Sequence, residues 1–236
     1  MTPNEMIEAL LRDGPEAADG KIANDLLSEF WRGYPIENLR RLFAPPARGA
    51  AAFLVSELGE KARPLIDEIV GLVGADNPRI RGDAIMALSM CTTWEDGWAV
   101  GKVVTALDDP HDGVRRTAVD ALRYMESRTL EAGFRYLHEE LPNSAYARFK
   151  SAFLMLERRP SEAAATLKRL LSADDTTTRL FGAAMAVRPR KFIDVAFVAL
   201  AEASSDPEIR KTVRDAKEHS LPPWVIWTDS GLLQTD

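Results

Sequence analysis

The sequence predicts an all-α chain, a right-handed α-solenoid of about six stacked helix pairs, and three observations carry that expectation. The first is a recurring arginine. Arg48, Arg81, Arg115, Arg148, Arg179 and Arg210 are separated by 33, 34, 33, 31 and 31 residues, a regularity that chance does not produce. The second is an apolar stripe tied to that arginine. Three residues after it stand Ala51, Ala84, Ala118, Ser151, Gly182 and Val213, and seven after it stand Val55, Leu88, Leu122, Met155, Ala186 and Lys217. These offsets fall on one face of a helix with 3.6 residues per turn, and small residues there allow neighbouring helices to approach closely. The third is the lack of alternating apolar and polar runs joined by hairpin turns, which strands would require.

Taken in order, residues 1–35 hold a helix from Pro3 to Arg12, a second from Lys21 to Trp31 and the turn Gly33-Tyr34-Pro35, expected to form an N-terminal helical cap. Residues 36–219 form the array. In its units an amphipathic stretch precedes the arginine-marked helix: Pro64 to Val73, Trp98 to Leu107, Ala163 to Leu171 and Phe192 to Leu200. The turns between carry Asp76, Asp109, Asp174 and Asp206, whose carboxylates can accept hydrogen bonds from the first amides of a helix. Pro78, Pro110 and Pro207 suit the same boundary. Residues 220–236 begin with a Pro-Pro helix stop and include two of the five tryptophans, so this tail is expected to pack over the last repeat.

The composition of 46% hydrophobic and 28% charged residues over 236 positions is that of a globular protein and excludes general disorder. No apolar run approaches the roughly 18 residues of a membrane span, and the opening MTPNEMIEALLRDG lacks a secretory layout, so a cytoplasmic location is expected. The lone Cys91 excludes an internal disulfide framework and a Cys-rich zinc site. With 30 basic and 36 acidic residues the net charge of −6 ill suits a protein that must grip phosphate backbones.

His111, His138 and His219 fall at three different phases of the repeat, which argues against a shared metal site, and no cofactor is expected. Cys91 follows the apolar run IMALSM and reads as a buried small hydrophobe. The recurring arginines could hold phosphates, but acidic residues four to six positions earlier favour structural Asp–Arg contacts. In the loop TTWEDGW, Trp94, Asp96 and Trp98 could line a pocket for a flat base, or could close the gap between helix pairs.

A partner-binding surface is expected in the middle of the array. Arg116, Asp120, Arg123 and Tyr124 share offsets 1, 5, 8 and 9 from Arg115, a face distinct from the core stripe, and the equivalent residues of the preceding unit are Gly82, Met86, Ser89 and Met90. Arg, Tyr and Met are common anchors of protein interfaces. The candidate partner-binding residues are therefore Asp83, Met86, Arg116, Asp120, Arg123 and Tyr124, with no catalytic residue assigned.

The unit lacks the T-P-L-H pattern of ankyrin and the W-x-x-L-G pattern of tetratricopeptide repeats. The runs Val114, Arg115, Ala118, Ala121, Leu122 and Ile80, Arg81, Ala84, Ala87, Leu88, each after an aspartate turn, resemble the short HEAT repeats of phycobilisome-lyase-type HEAT-like proteins. A narrower resemblance rests on Phe30, Gly33, Tyr34, Pro35, Asn38 and Leu39, with Ser56, Glu57, Leu58 and Gly59. These match stand-alone bacterial HEAT-like proteins; Pro45, Pro46 and Gly49 depart from their polar turn. That resemblance implies an immunity protein that binds and neutralises a cognate bacterial toxin. It supplies no toxin-contact residues.

The expected function is accordingly a non-catalytic protein-binding module whose acidic balance favours a basic partner such as a nuclease toxin. One alternative is a HEAT-like alkylpurine DNA glycosylase, which would need a cationic face for the duplex. The other is a general scaffold or phycobilin-lyase-like protein.

Overall fold

The computed structural model describes residues 1–15, 20–188, 195–219, 225–228 and 231–234. Through residue 219 the described elements are all helices. Its α-helices are α1 (Pro3–Asp13), α2 (Lys21–Trp31), α3 (Arg48–Leu58), α4 (Ile66–Leu72), α5 (Pro78–Cys91), α6 (Gly97–Thr105) and α7 (Asp112–Tyr124). They continue with α8 (Ser127–Glu140), α9 (Phe149–Arg158), α10 (Pro160–Leu171), α11 (Thr176–Ala186), α12 (Val195–Glu202) and α13 (Pro207–His219). Four 3-10 segments join them, at Ile36–Phe43, Gly59–Leu65, Ala106–Asp108 and Ala145–Arg148. Two short strands, β1 (Val225–Thr228) and β2 (Gly231–Gln234), pair antiparallel through Val225–Gln234 and Thr228–Gly231. Apart from this short pair the described elements are helical, in keeping with the expected all-α class. Residues 229–230 and the expected packing of the tail on the last repeat lie outside the described residues.

The N-terminal helices are fixed by local chemistry. Thr2 and Glu5 form a reciprocal capping box on α1, which satisfies two amides that the helix itself cannot. Gly33 takes φ +106°, a backbone region that glycine enters without steric cost, and so turns the chain after α2. Tyr34 then packs its ring 5.4 Å from Phe30, and its hydroxyl meets Asn4 Oδ1 at 2.8 Å. The aromatic-Gly-Tyr-Pro run thus ties α1 and α2 together.

The recurring arginine has a repeated structural task. Arg81 donates from Nη1 to the carbonyls of Ala75 and Asp76, Arg115 to those of Asp109 and Pro110, and Arg179 to those of Ala173 and Asp174. Arg48 and Arg210 repeat the contact at Phe43 and Ser204. The same guanidinium also reaches onward. Arg81 grips Asp109 at 2.7 and 2.8 Å, and Arg179 meets Asp206 at 2.9 Å. Arg81 and Arg179 thus clamp their own turns and join them to the next one.

Beyond the clamps, α3, α5, α7, α11 and α13 form a row in which each helix packs on the next. The stripe residues Ala51, Ala84, Ala118, Val55, Leu88 and Leu122 are fully buried in a continuous core. On the other side α6 and α8 approach closely through glycine. A Cβ on Gly133 would collide with the Val100 side chain, standing 2.9 Å from its Cβ, and one on Gly97 would stand 2.8 Å from the Ala132 carbonyl oxygen.

The fourth arginine unit departs from the expected register. α9 packs on α8 and α10 rather than in the row, and α11 takes its place against α7. Ser151 is exposed and Met155 only half-buried, while Phe149, Ala152, Phe153 and Leu156 face inward. The stripe has rotated by one residue because the large rings dictate which face is buried. Phe149 stacks on Phe181 at 4.1 Å, and Phe134 meets Phe153 at 5.2 Å. The turn before α9 (residues 141–147) contains no aspartate, so Arg115 pairs instead with Glu208 of α13 at 2.7 Å.

Most of the expected aspartate caps are also displaced. The side chains that cap α5, α7 and α11 belong to Asn77, His111 and Asp175, and Asp109 is drawn into the Arg81 pair; Asp206 alone of the four expected aspartates caps its helix, accepting from the Glu208 amide in the first turn of α13.

Two outcomes follow. Gly133→Ala overpacks the α6–α8 contact and lowers stability by about 1–3 kcal/mol, read as a fall in thermal midpoint. The second concerns acid. Burial opposes ionisation of Asp109 and Asp206, but hydrogen bonds from Arg81 and the His111 amide, and from the Glu208 amide and Arg179, outweigh it, so both carboxyls titrate below the ordinary 3.8. Folding therefore lowers these pKa values. Their stabilisation is complete above the ordinary value and is lost as pH falls through it toward the folded one. Asp109→Asn removes part of that acid dependence in a pH series of chemical unfolding curves.

Candidate partner-binding surface

Met86 and Met90 lie one turn apart on α5, so they share a helix face. Both are exposed, Met90 by 49%. Each lines a cleft of its own. One, of about 450 Å³, runs beside Glu57, Arg79, Asp83, Met86 and Thr117. The other, of about 650 Å³, lies where α5 and α7 end and is lined by Glu60, Arg63, Met90, Trp94, Tyr124 and Glu126, among others. Trp94 is 46% exposed and Tyr124 56%.

Arginines stack on both rings. The Arg128 guanidinium lies 4.0 Å from the Trp94 centroid, and that of Arg123 lies 5.0 Å from the Tyr124 centroid. Such contacts arise because a cation is drawn to the negative face of an aromatic ring. Exposed aromatic and methionine side chains grouped in a concavity are the residue types that dominate protein interfaces.

Of the expected partner-binding residues, Met86 and Tyr124 stand on this exposed face. Asp83 is half-buried beside them, and that burial, with Glu57 adding to it against Arg79, pushes its carboxyl above the ordinary range. Arg116 is half-buried and tied to Asp112 at 3.4 Å and Asp215 at 3.9 Å, so α13 restricts it. Asp120 pairs with Arg123 at 3.3 Å.

Arg123 requires correction. It is only 3% exposed, and its Nε donates to the carbonyl of Val187 at 3.2 Å, at the end of α11. In return Arg188 donates to the carbonyls of Leu122 and Arg123 at 2.7 and 3.0 Å, at the end of α7. Each helix thus lends an arginine to the unpaired last carbonyls of the other, where a cation also suits the helix dipole. The sequence offset of Arg123 placed it on a solvent face because α11 was not expected to lie against α7.

The remaining candidates are structural. Asp96 accepts from the Thr93 amide at 2.8 Å and hydroxyl at 3.0 Å, and from Arg63 at 2.6 Å. Burial resists its ionisation, yet those partners prevail and hold its carboxyl below the ordinary range. It locks the loop rather than facing a substrate. His111 Nδ1 accepts from the Gly113 amide, His138 Nδ1 lies 3.0 Å from the Ala147 carbonyl, and the side chain of His219 lies outside the described residues. Among the described residues no three His, Cys, Asp or Glu side chains converge as metal ligands would, and no helix is long and apolar enough to cross a membrane.

Sequence reasoning left out Glu60 and Glu126, and it took Trp94 as part of a separate loop. The equivalence of Met90 and Tyr124, both nine residues after the marking arginine, was the available pointer to the cleft. The acidic rim gave none, since exposed glutamates are common on any surface.

No known family model matches the sequence, and no curated protein matches it. An engineered protein of solved structure is similar with a TM-score of 0.37 and 17% identity, over 77% of this chain and 94% of that one. That likeness is too loose to bear on function.

Cys91 lies in the wall of this cleft but is buried, and burial raises its thiol to about 12, with the Asp96 charge adding to the shift. Since the thiolate is the reactive form, native protein at neutral pH reacts negligibly with a disulfide reagent, while the denatured chain reacts stoichiometrically. Rapid labelling of the native thiol contradicts this.

Proposed function

We propose that the chain is a HEAT-like α-solenoid of the short-repeat kind and serves as a non-catalytic protein-binding module. On this reading it is an immunity protein that binds a cognate bacterial toxin one to one in the cytoplasm and silences it. The observation that carries the reading is the cleft where α5 and α7 end, with Met90, Trp94 and Tyr124 exposed together. Those residues suit a hot spot, in which a few aromatic anchors supply most of the binding energy. The repeated arginine clamp and the row of α3, α5, α7, α11 and α13 support the solenoid, with α9 as an irregular unit set beside the row. The role needs no reacting group, and the negative net charge speeds encounter with a basic partner.

The test is co-expression with the protein encoded by the neighbouring upstream gene, followed by co-purification and growth rescue. Tyr124→Ala and Trp94→Ala each weaken the complex by about 2 kcal/mol or more, as hot-spot truncations do, with the thermal midpoint nearly unchanged. Asp120 is a poor probe because it pairs with the buried Arg123, so its loss would disturb the fold as well as the surface. A neighbour that is harmless when expressed alone and does not co-purify, or a complex indifferent to both variants, overturns the reading.

A further inference from the structure

Apolar exposure and negative charge coincide in the cleft where α5 and α7 end. Three exposed carboxylates, Glu60, Glu95 and Glu126, line it beside Met90, Trp94 and Tyr124. Three guanidiniums lie near them: Arg63 lines the cleft and is already committed to Asp96 at 2.6 Å and to the Cys91 carbonyl at 3.1 Å, with Glu95 farther off at 3.8 Å, while Arg128 and Arg123 each lie against one face of the Trp94 and Tyr124 rings. Glu60 and Glu126 have no ion pair among the described residues.

The charge excess is also regional. Residues 1–100 contain 10 basic and 16 acidic side chains, and residues 101–236 contain 20 of each, so the entire −6 falls in the first hundred positions. This half supplies α5, the Trp94 loop and two of the three rim glutamates.

The chemistry of an occupant follows. An anion would meet three carboxylates, and a purely apolar segment would strip water from them without replacing their hydrogen bonds. A lysine ammonium would satisfy the charge but could not lie flat against a ring. Arginine does both, since its planar guanidinium stacks on aromatic faces and presents a fork of donors to carboxylates. The protein shows the fit with its own side chain, the exposed Arg128 resting 4.0 Å from the Trp94 centroid. A volume of about 650 Å³ accommodates one arginine with its flanking backbone.

Building on the protein-binding reading above, we propose that this cleft seats an arginine from a basic segment of the partner protein. Its guanidinium lies against the exposed Trp94 and Tyr124 rings, its alkyl stem along Met90, and Glu60, Glu95 and Glu126 accept its hydrogen bonds.

The experiment is calorimetric titration of the full chain with a Gly-Arg-Gly-Arg-Gly peptide, and with the same peptide carrying citrulline or lysine in place of arginine. Citrulline keeps the shape and removes the charge. The arginine peptide binds about 10-fold or more tighter than the citrulline form and measurably tighter than the lysine form. Glu60→Gln and Glu126→Gln, exposed positions whose change leaves the fold intact by circular dichroism, each weaken it about 3-fold or more, while Glu140→Gln at the end of α8 does not. Equal binding of arginine and citrulline, or of arginine and lysine, or indifference to both cleft variants, overturns the proposal. The two readings fail separately. A partner that co-purifies and is released by Tyr124→Ala, with peptides that do not discriminate, removes the arginine seat alone. Discriminating peptides with no partner remove the toxin-binding reading alone.

Discussion

The structure depends on an arginine one turn into a helix that reaches back to the carbonyls of its own turn and forward to the carboxylate of the next. A turn between helices leaves carbonyls that neither helix can satisfy, and a buried unpaired carbonyl costs more than a hydrogen bond returns. Arg81 answers two of them and holds Asp109 with its remaining nitrogens, with both side chains nearly buried. Lysine could not do this, because a point charge on a flexible stem offers no fixed fork. The clamp therefore explains why arginine recurs at the spacing of the repeat and why an aspartate follows about 28 residues later. Its location has a functional consequence. The clamps gather the N-terminal ends of α5 and α7, leaving the exposed Met90 and Tyr124 to the opposite ends.

Where the clamp loses its aspartate, the row changes course. No acidic residue lies in the turn before α9 (residues 141–147), and a set of phenylalanines offers a better-buried face than the arginine register does. The helix turns by one residue and sits beside the row, and α11 closes onto α7. That closure is then secured by two arginines exchanged between helix ends, Arg123 onto Val187 and Arg188 onto Leu122 and Arg123. Such buried guanidinium groups are tolerated only because carbonyls and carboxylates surround them.

Much of this was legible in the sequence, for reasons that can be named. The helix pairs were visible because apolar spacing and the arginine mark agree within every unit from Arg81 to Leu122, and local agreement of this kind specifies a fold. The expected helices Pro3 to Arg12 and Lys21 to Trp31 match α1 to within one residue and α2 at both ends, with the Gly33 turn closing the second. What escaped was long-range. The skipped α9, the burial of Arg123 and the pairing of Arg115 with Glu208 all depend on which helices meet across 60 or more residues, and periodicity within one helix does not contain that. The hairpin of Val225–Thr228 and Gly231–Gln234 was passed over because each strand is only four residues long. The cleft was half visible, since Met90 and Tyr124 share one offset from the marking arginine, whereas its acidic rim comes from three separate elements that only the fold brings together.

The claim on which the rest stands is that neighbouring turns are energetically interlocked through Arg81 and Asp109, not merely adjacent. A double-mutant cycle measures this directly, with Arg81→Ala, Asp109→Ala and the double variant unfolded by urea at neutral pH. The account predicts a coupling of about 1 kcal/mol or more, as expected for a nearly buried bidentate pair. Effects that add to within about 0.3 kcal/mol would show that the two residues act independently and would contradict it.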